Sequence, residues 1–368
     1  MLCLLSLSAG PARAGPGTTG ANFLKIPVGP REVAMGEAGV ASVQNAYGVW
    51  WNPAGLARLT APETSFMYNR WFAGISEHFA AIGLPVGGRG ALGGYFFKLG
   101  TEPFQGYDAQ ANPTGSVDAG DLSAGLSGTL LKRWTNASLG TGLTIKLIEE
   151  QLAGLRARTQ AVDVGAQILA FGGLPDWGDH LAFGAAVQNL GLGPGLRFDR
   201  DAAPLPRTYR MGLSFSGEAV SDPFTLAADG VKTADAPAYP AIGFEYWVRR
   251  VLALRAGQRF GQDIGSGVRA GLGLRIHQIQ FDYAWAGFGE LGNTHRASVS
   301  IRFDRPADRP GGPSHLAEAH YQRGLEHYRA GRYGEAMIEF NKVLKRVPAH
   351  DEAKKMLRAC FQKLHEKR

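Results

Sequence analysis

One feature limits the fold of this chain more than any other. Apolar and polar residues alternate with a period of two from Thr64 to Asp304. In Gln278–Trp285, the residues Ile279, Phe281, Tyr283 and Trp285 share one face, against Gln278, Gln280, Asp282 and Ala284 on the other. Val268–Ile276 and His295–Phe303 repeat the pattern. Alternation this strict makes strands and cannot make a helical stripe. Fourteen such runs begin near Thr64, Glu77, Gly90, Asp121, Ala137, Ala157, His180, Arg207, Asp222, Tyr239, Val251, Ser266, Gln278 and His295. Turn signals such as Gly87-Gly88, Arg249-Arg250 and Gly261–Gly265 separate them.

Most runs are 9–12 residues long, more than the roughly 5–6 typical of soluble strands and enough for a tilted strand to cross a bilayer. Two architectures accommodate the alternation. In a soluble sandwich the apolar face meets a second sheet; in an outer-membrane barrel it meets lipid, and the polar face lines the lumen. The even number of runs favours the barrel. So does a polar face that mixes arginine with carboxylates and many of the 51 glycines. Tyr246, Trp247, Phe260, Trp285 and Phe303 fall near run ends, as interface girdles do. The expected fold is an all-β transmembrane barrel of about 14 antiparallel strands. No apolar run reaches 18 residues, so no helix is expected to span a membrane.

In the barrel, Asp163, Glu245, Arg255, Arg259, Arg269, Arg275, Asp282, Arg296 and Arg302 point inward. They form either an anion-attracting, gated lumen or a structural network of paired charges that fills the barrel or holds a plug. The inward positions show no clearly apolar stripe.

Residues 1–14 read as an export signal, with a short apolar stretch and a small-x-small site at Ala12-Arg13-Ala14. The basic stretch that opens such signals is missing, so the expected signal is incomplete at its start. Residues 15–63 lack the period of two. Pro30 suits the opening of a short helix, Asn52-Pro53 forces an extended or turn step, and small residues interleave with Trp50 and Trp51. This composition suits a segment packed inside something larger.

Phe23-Leu24, the step Ala34-Met35-Gly36, and Trp51-Asn52-Pro53-Ala54-Gly55-Leu56 together resemble the N-terminal signature of the PorV/PorQ family, a branch of the long-chain fatty-acid transporter (FadL-like) superfamily. The resemblance implies a 14-stranded outer-membrane barrel, here at 64–304, with an internal N-terminal hatch at 15–63. Met35, Gly36, Trp51, Asn52, Pro53, Ala54 and Gly55 are the hatch motif. The family includes secretion-system components that handle exported proteins; FadL-like relatives pass hydrophobic small molecules.

Residues 305–314 are rich in proline and glycine and read as a linker. Beyond it the period becomes helical, in a small all-α domain at 315–368. Ala317–His350 resembles a 34-residue tetratricopeptide repeat through Gly324, Tyr328, Gly331, Tyr333, Ala336, Phe340, Val343 and Pro348. His320, Arg323 and His327 depart from the pattern. A capping helix follows, with Ala353, Met356, Leu357, Cys360 and Leu364 at helical spacing. One repeat buries little, so a partner is expected. The groove for it would carry Glu318, Tyr321, Leu325, Tyr328 and Arg329. His315, His320 and His327 are not spaced as metal ligands usually are.

Residues 314–368 hold 12 basic and 7 acidic groups, whereas 15–313 hold 26 and 25. The basic character therefore belongs to the tail, and a nucleic-acid partner is not expected. The sequence contains no Walker loop, HExxH or GxSxG, and neither enzymatic activity nor a cofactor is expected. The expectation is an outer-membrane barrel in contact with lipid, acting in protein export or envelope assembly, with a periplasmic repeat that docks protein partners. The alternative is a FadL-like passage for a hydrophobic small-molecule ligand.

Overall fold

The computed structural model of the chain describes residues 17–171, 178–199, 201–219, 222–303, 313–347 and 350–366. The expected export signal lies outside these residues, as do Pro348 and most of the linker. Pro313 and Ser314, expected in the linker, begin a helix.

Fourteen strands close into one antiparallel barrel. They are β1 (Glu63–Arg70), β2 (Ile75–Val86), β3 (Gly90–Thr101), β4 (Ala119–Arg133), β5 (Ala137–Leu152), β6 (Leu155–Ala170) and β7 (Gly178–Gly191). There follow β8 (Thr208–Ala219), β9 (Asp222–Thr233), β10 (Tyr239–Val248), β11 (Leu252–Arg259), β12 (Val268–Ile276), β13 (Ile279–Gly287) and β14 (Asn293–Arg302). Each strand pairs with its sequence neighbours, and β1 closes the circle on β14 with Glu63 opposite Arg302. Closure leaves no sheet edge, so every strand finds backbone partners on both sides. The sandwich alternative is thereby excluded.

The alternation sorts as the period requires. Leu126 (76% exposed), Met211 (69%), Phe66, Ile145, Leu272 and Phe281 point outward, while Ser65, Asn69, Thr144, Gln167 and Arg269 point inward and are buried. An apolar belt around a whole barrel far exceeds the few hundred Å² that a soluble surface carries; it is a lipid-facing wall. Six strands fall outside the expected 9–12 residues: β1 and β11 have 8, and β4 to β7 have 14–16. β5 and β6 run to 16 residues, and their extension carries Glu149 paired with Arg156 and Arg158. Trp247 also differs. It shares the inward face with Glu245, is buried, and has the guanidiniums of Arg255 and Arg275 over its ring at 5.7 and 4.1 Å. It belongs to the lumen and not to a girdle.

β1 begins and β14 ends at the same rim. All connections there are short; at Arg249-Arg250 both residues take positive φ, 51° and 58°, the twist of a type I′ turn. The longest connections, 102–118 and 192–207, lie at the opposite rim.

Residues 17–62 run through the lumen. They contain short helices α1 (Pro30–Ala34) and α2 (Gly48–Trp51) and two 3-10 turns at Asn22–Lys25 and Pro53–Arg58. Nearly every residue from Phe23 to Leu59 is buried. The segment is anchored first at the long-loop rim. Gly20 N donates to Pro204 O (2.9 Å), and Asp235 accepts from Thr19 Oγ1 (2.7 Å) and Lys25 Nζ (2.6 Å). Burial opposes the charge on Asp235, but Lys25 and Thr19 outweigh it and hold the carboxyl below its ordinary range. Such a group stabilises the fold fully above the ordinary aspartate pKa, and the contribution is lost as pH falls through the depressed value. Protease cleavage within residues 17–25 is therefore expected to rise at pH 3 relative to pH 7, and Asp235→Asn should raise it already at pH 7.

The tail forms three helices, α3 (Pro313–Arg329), α4 (Tyr333–Arg346) and α5 (Asp351–Glu366). They pack around Ala317, Ala336, Phe340, Val343, Ala353 and Cys360. Gly324 lies flat against the Phe340 ring, where a Cβ would come within 2.6 Å. His320, which departs from the repeat pattern, is accommodated by a polar partner: it meets Glu339 at 2.7 Å inside the hairpin, and Lys342 reaches the same carboxylate at 3.0 Å. Burial opposes the Glu339 charge, yet His320 and Lys342 hold its carboxyl below the ordinary value. By the same sign argument the hairpin should melt at a lower temperature at pH 3 than at pH 7, read from the helical circular-dichroism band. Glu339→Gln should flatten that dependence.

Candidate functional site within the lumen

The lumenal segment meets the wall in two chemically different ways. From β4 round to β12 the contact is mainly backbone and charge. From β1 to β3 it is aromatic.

Glycines in the wall make the first contact possible. Gly243 and Gly257 face each other across β10 and β11, and Met35-Gly36 lies directly on them. A Cβ on either wall glycine would enter the Met35 or Gly36 backbone. Gly36 adopts φ 68°, and a Cβ there would come within 2.6 Å of Gln258 N. Only glycine combines that dihedral with that approach. Further round, Gly142 and Gly165 receive the Asn52-Pro53 step, Gly140 receives Ala54, and Gly184 receives Val40. Asn52 is fully buried; its Nδ2 donates to Val40 O (2.8 Å) and Ala166 O (3.1 Å), and its Oδ1 accepts from Ala54 N (3.1 Å). Trp51 Nε1 donates to Val28 O (2.9 Å), and Gly55 abuts Val43. The structure thus brings all seven motif residues into the lumen; Met35, Gly36, Asn52, Pro53 and Ala54 lie against the wall, Gly55 packs within the segment, and Trp51 lies under the wall residue Arg210.

The nine inward charges also line the lumen, but they are partnered in different ways. Glu245 sits between two arginines. Arg31 of α1 grips it side-on, with Nη2 at 2.9 Å and Nε at 3.0 Å, and Arg255 Nε reaches it at 2.6 Å. Arg255 also binds Asp282 at 2.6 Å. Arg259 and Arg269 both reach Glu37 of the lumenal segment, at 3.4 and 3.3 Å, and Tyr239 donates to its other oxygen at 3.2 Å. Asp163 pairs with Lys146 (2.8 Å) and Arg302 with Glu63 (2.8 Å). Arg275 meets Gln280 and Trp247, and Arg296 meets Thr294 and Trp71. Alternation identifies the wall half of each pair. Arg31 and Glu37 escaped it because they lie outside the strands, although a buried charge on one side requires its opposite on the other. Asp229, which accepts from Val40 N (2.8 Å), and Gln167, which donates to the carbonyls of Val40, Ala41 and Val43, occupy inward polar positions that the same alternation marks.

An apolar sector exists after all, contrary to the expectation of none. Met67, Phe79, Tyr95, Phe97 and Ile148 of the wall form one cluster with Phe23, Tyr47, Trp50 and Leu56 of the segment. Phe23 stacks on Phe97 at 5.4 Å, Tyr47 on Phe79 at 5.5 Å and Trp50 on Phe97 at 5.3 Å. The sector was hidden because β3, reading Ala-Leu-Gly-Gly-Tyr-Phe-Phe, is apolar on both faces.

In the tail, Tyr321, Leu325 and Tyr328 are half-buried. They pack against the hairpin's own core, with Tyr321 beside Phe340 and Tyr328 beside Tyr333. Glu318 and Arg329 remain exposed.

No family model matches the sequence, and no curated protein matches it. Among solved structures the chain is similar to the CymD monoaromatic hydrocarbon channel, with 13% identity and a TM-score of 0.48 over 75% of this chain and 96% of that one. It is similar to a Pseudomonas aeruginosa FadL homologue, with 11% identity and a TM-score of 0.45 over 76% and 99%. It is also similar to a deltaS2 mutant of the TodX monoaromatic hydrocarbon channel, with 12% identity and a TM-score of 0.47 over 75% and 97%.

Proposed function

We propose that this is an outer-membrane barrel that passes apolar small molecules, with residues 17–62 acting as the hatch. One observation carries the reading: the aromatic sector between the hatch and β1–β3. There, ring meets ring, so an apolar molecule that replaces Phe23 or Trp50 against Phe79 and Phe97 breaks no hydrogen bond at those rings. The ion pairs on the other side keep the hatch attached while that sector yields. Cells that make the protein should take up a radiolabelled alkane such as decane faster than cells that lack it, and Phe97→Asp should abolish the gain. Equal uptake in both cells would refute the passage. Deleting residues 20–60 should open the barrel to polar antibiotics, seen as increased sensitivity.

A second reading is favoured by the tail. Ile338 (58% exposed) and Phe361 (54%) stand on the surface of a basic helical hairpin, as they would in a tetratricopeptide-like module awaiting a partner. Both barrel ends emerge at the short-turn rim, which faces the periplasm in barrels of this type; the tail is then a periplasmic handle in export or envelope assembly. Removing residues 313–368 should abolish co-purification of an envelope protein. If the same proteins co-purify without the tail, this reading fails.

A further inference from the structure

Three buried lumenal side chains stand side by side across β14, β1 and β2. Asn69 pairs in register with Arg296 on one side and with Glu77 on the other, and all three are at most 1% exposed. Asn69 Nδ2 donates to one Glu77 oxygen (2.7 Å), and Arg296 Nη1 donates to Thr294 Oγ1 (3.1 Å). The remaining polar atoms of the row, Glu77 Oε1, Asn69 Oδ1, and Arg296 Nε and Nη2, have no hydrogen-bond partner among the described residues. Four such atoms in one short row are costly unless something satisfies them. The other buried lumenal arginines of this side, Arg255 and Arg269, each touch a carboxylate.

The row also has a place on the proposed route. Two residues along the strands, about 7 Å away, lies the aromatic row in which Met67 faces Phe79 and Phe79 faces Phe97. In the other direction, toward the long-loop rim, Trp71 lies over Arg296 (5.1 Å) and clusters with Phe72 and Phe288. A polar row is thus held between an aromatic mouth and an aromatic lumen.

We propose that Glu77, Asn69 and Arg296 bind the neutral head group, a hydroxyl or a primary amide, of an otherwise apolar molecule. The inference rests on the passage reading above and specifies its substrate. The Nε and Nη2 edge of Arg296 offers two donors to one oxygen. Glu77 Oε1 and Asn69 Oδ1 require a hydrogen donor. A hydroxyl supplies both functions at once. A carboxylate supplies only acceptors and sets a like charge against Glu77; an ammonium sets one against Arg296. The row already carries one charge of each sign, so a charged ligand adds a buried charge with no counterpart.

The test is binding of three ten-carbon probes, decanol, decanoate and decane, to the purified full-length protein in detergent, followed by tryptophan fluorescence. Decanol should bind at least about tenfold tighter than decane, the worth of one or two charge-assisted hydrogen bonds, and also tighter than decanoate. Glu77→Gln keeps the shape and removes the negative charge, so the order of decanol and decanoate should reverse. If decanol and decane bind equally, or Glu77→Gln leaves the order unchanged, the head-group site is wrong while the passage reading survives. If none of the three binds to folded protein, both are wrong. Asn69→Ser serves as the second variant should Glu77→Gln fail to fold; it should narrow the gap between decanol and decane.

Discussion

Gly257→Leu will unseat the hatch while leaving the strands able to close. The Gly257 Cα lies against the backbone of Met35 and Gly36, so even a Cβ overlaps Gly36 N. Neither partner is a flexible side-chain end that swings aside. Overfilling of this kind costs about 1–3 kcal/mol where neighbours relax, and more where they cannot. The measurement is limited trypsin digestion in detergent. Arg31 is buried in the wild type and should resist cleavage; in Gly257→Leu it should be cut quickly, while the unboiled barrel still migrates differently from the boiled one. Gly128→Leu is the control, since a Cβ there would meet no atom of the described residues within 4 Å beyond its chain neighbours. Wild-type protection in Gly257→Leu would mean that Met35-Gly36 does not rest on this pair.

The second large effect is expected at Glu245. Its removal in Glu245→Met leaves Arg31 with Glu32 alone, at 3.4 Å, and Arg255 with Asp282 alone. Breaking a buried pair by deleting one member typically costs about 3–5 kcal/mol, because the charge left behind is uncompensated. The denaturation midpoint should fall accordingly. Arg31→Met combined with Glu245→Met removes both charges and should recover most of the loss, giving a large coupling in a double-mutant cycle. If the two single effects simply add, Arg31 and Glu245 do not hold each other in solution. Together the two experiments separate the two means by which the hatch is held, close backbone approach and buried charge.

The barrel was readable because its signal is local and repeated. Each run needs only its own alternation to declare a strand and its inward face, and the same rule placed Arg255, Arg269 and Asp282 in the lumen. It failed where local pattern is silent. Phe79 is followed by Ala80-Ala81 and Phe97 is preceded by Phe96, so β2 and β3 do not show by themselves which ring turns inward. Trp247 sits near a strand end like a girdle residue, and only its phase with Glu245 shows that it faces inside. Tyr321 and Tyr328 lie on a helical face that one sequence cannot assign to a groove or to its own hairpin.

The sequence alone therefore determined the strand number, the sidedness of most strands and a separate helical tail, because period and turn chemistry act between residues close along the chain. Only the tertiary structure decided which carboxylate meets which arginine, which wall glycines bed the lumenal segment, and where aromatic rings from the two ends of the first hundred residues stack. Those choices depend on register and closure across the whole circle. A contact such as that between Gly36 and Gly257 exists only once all fourteen strands have fixed the distance across the lumen.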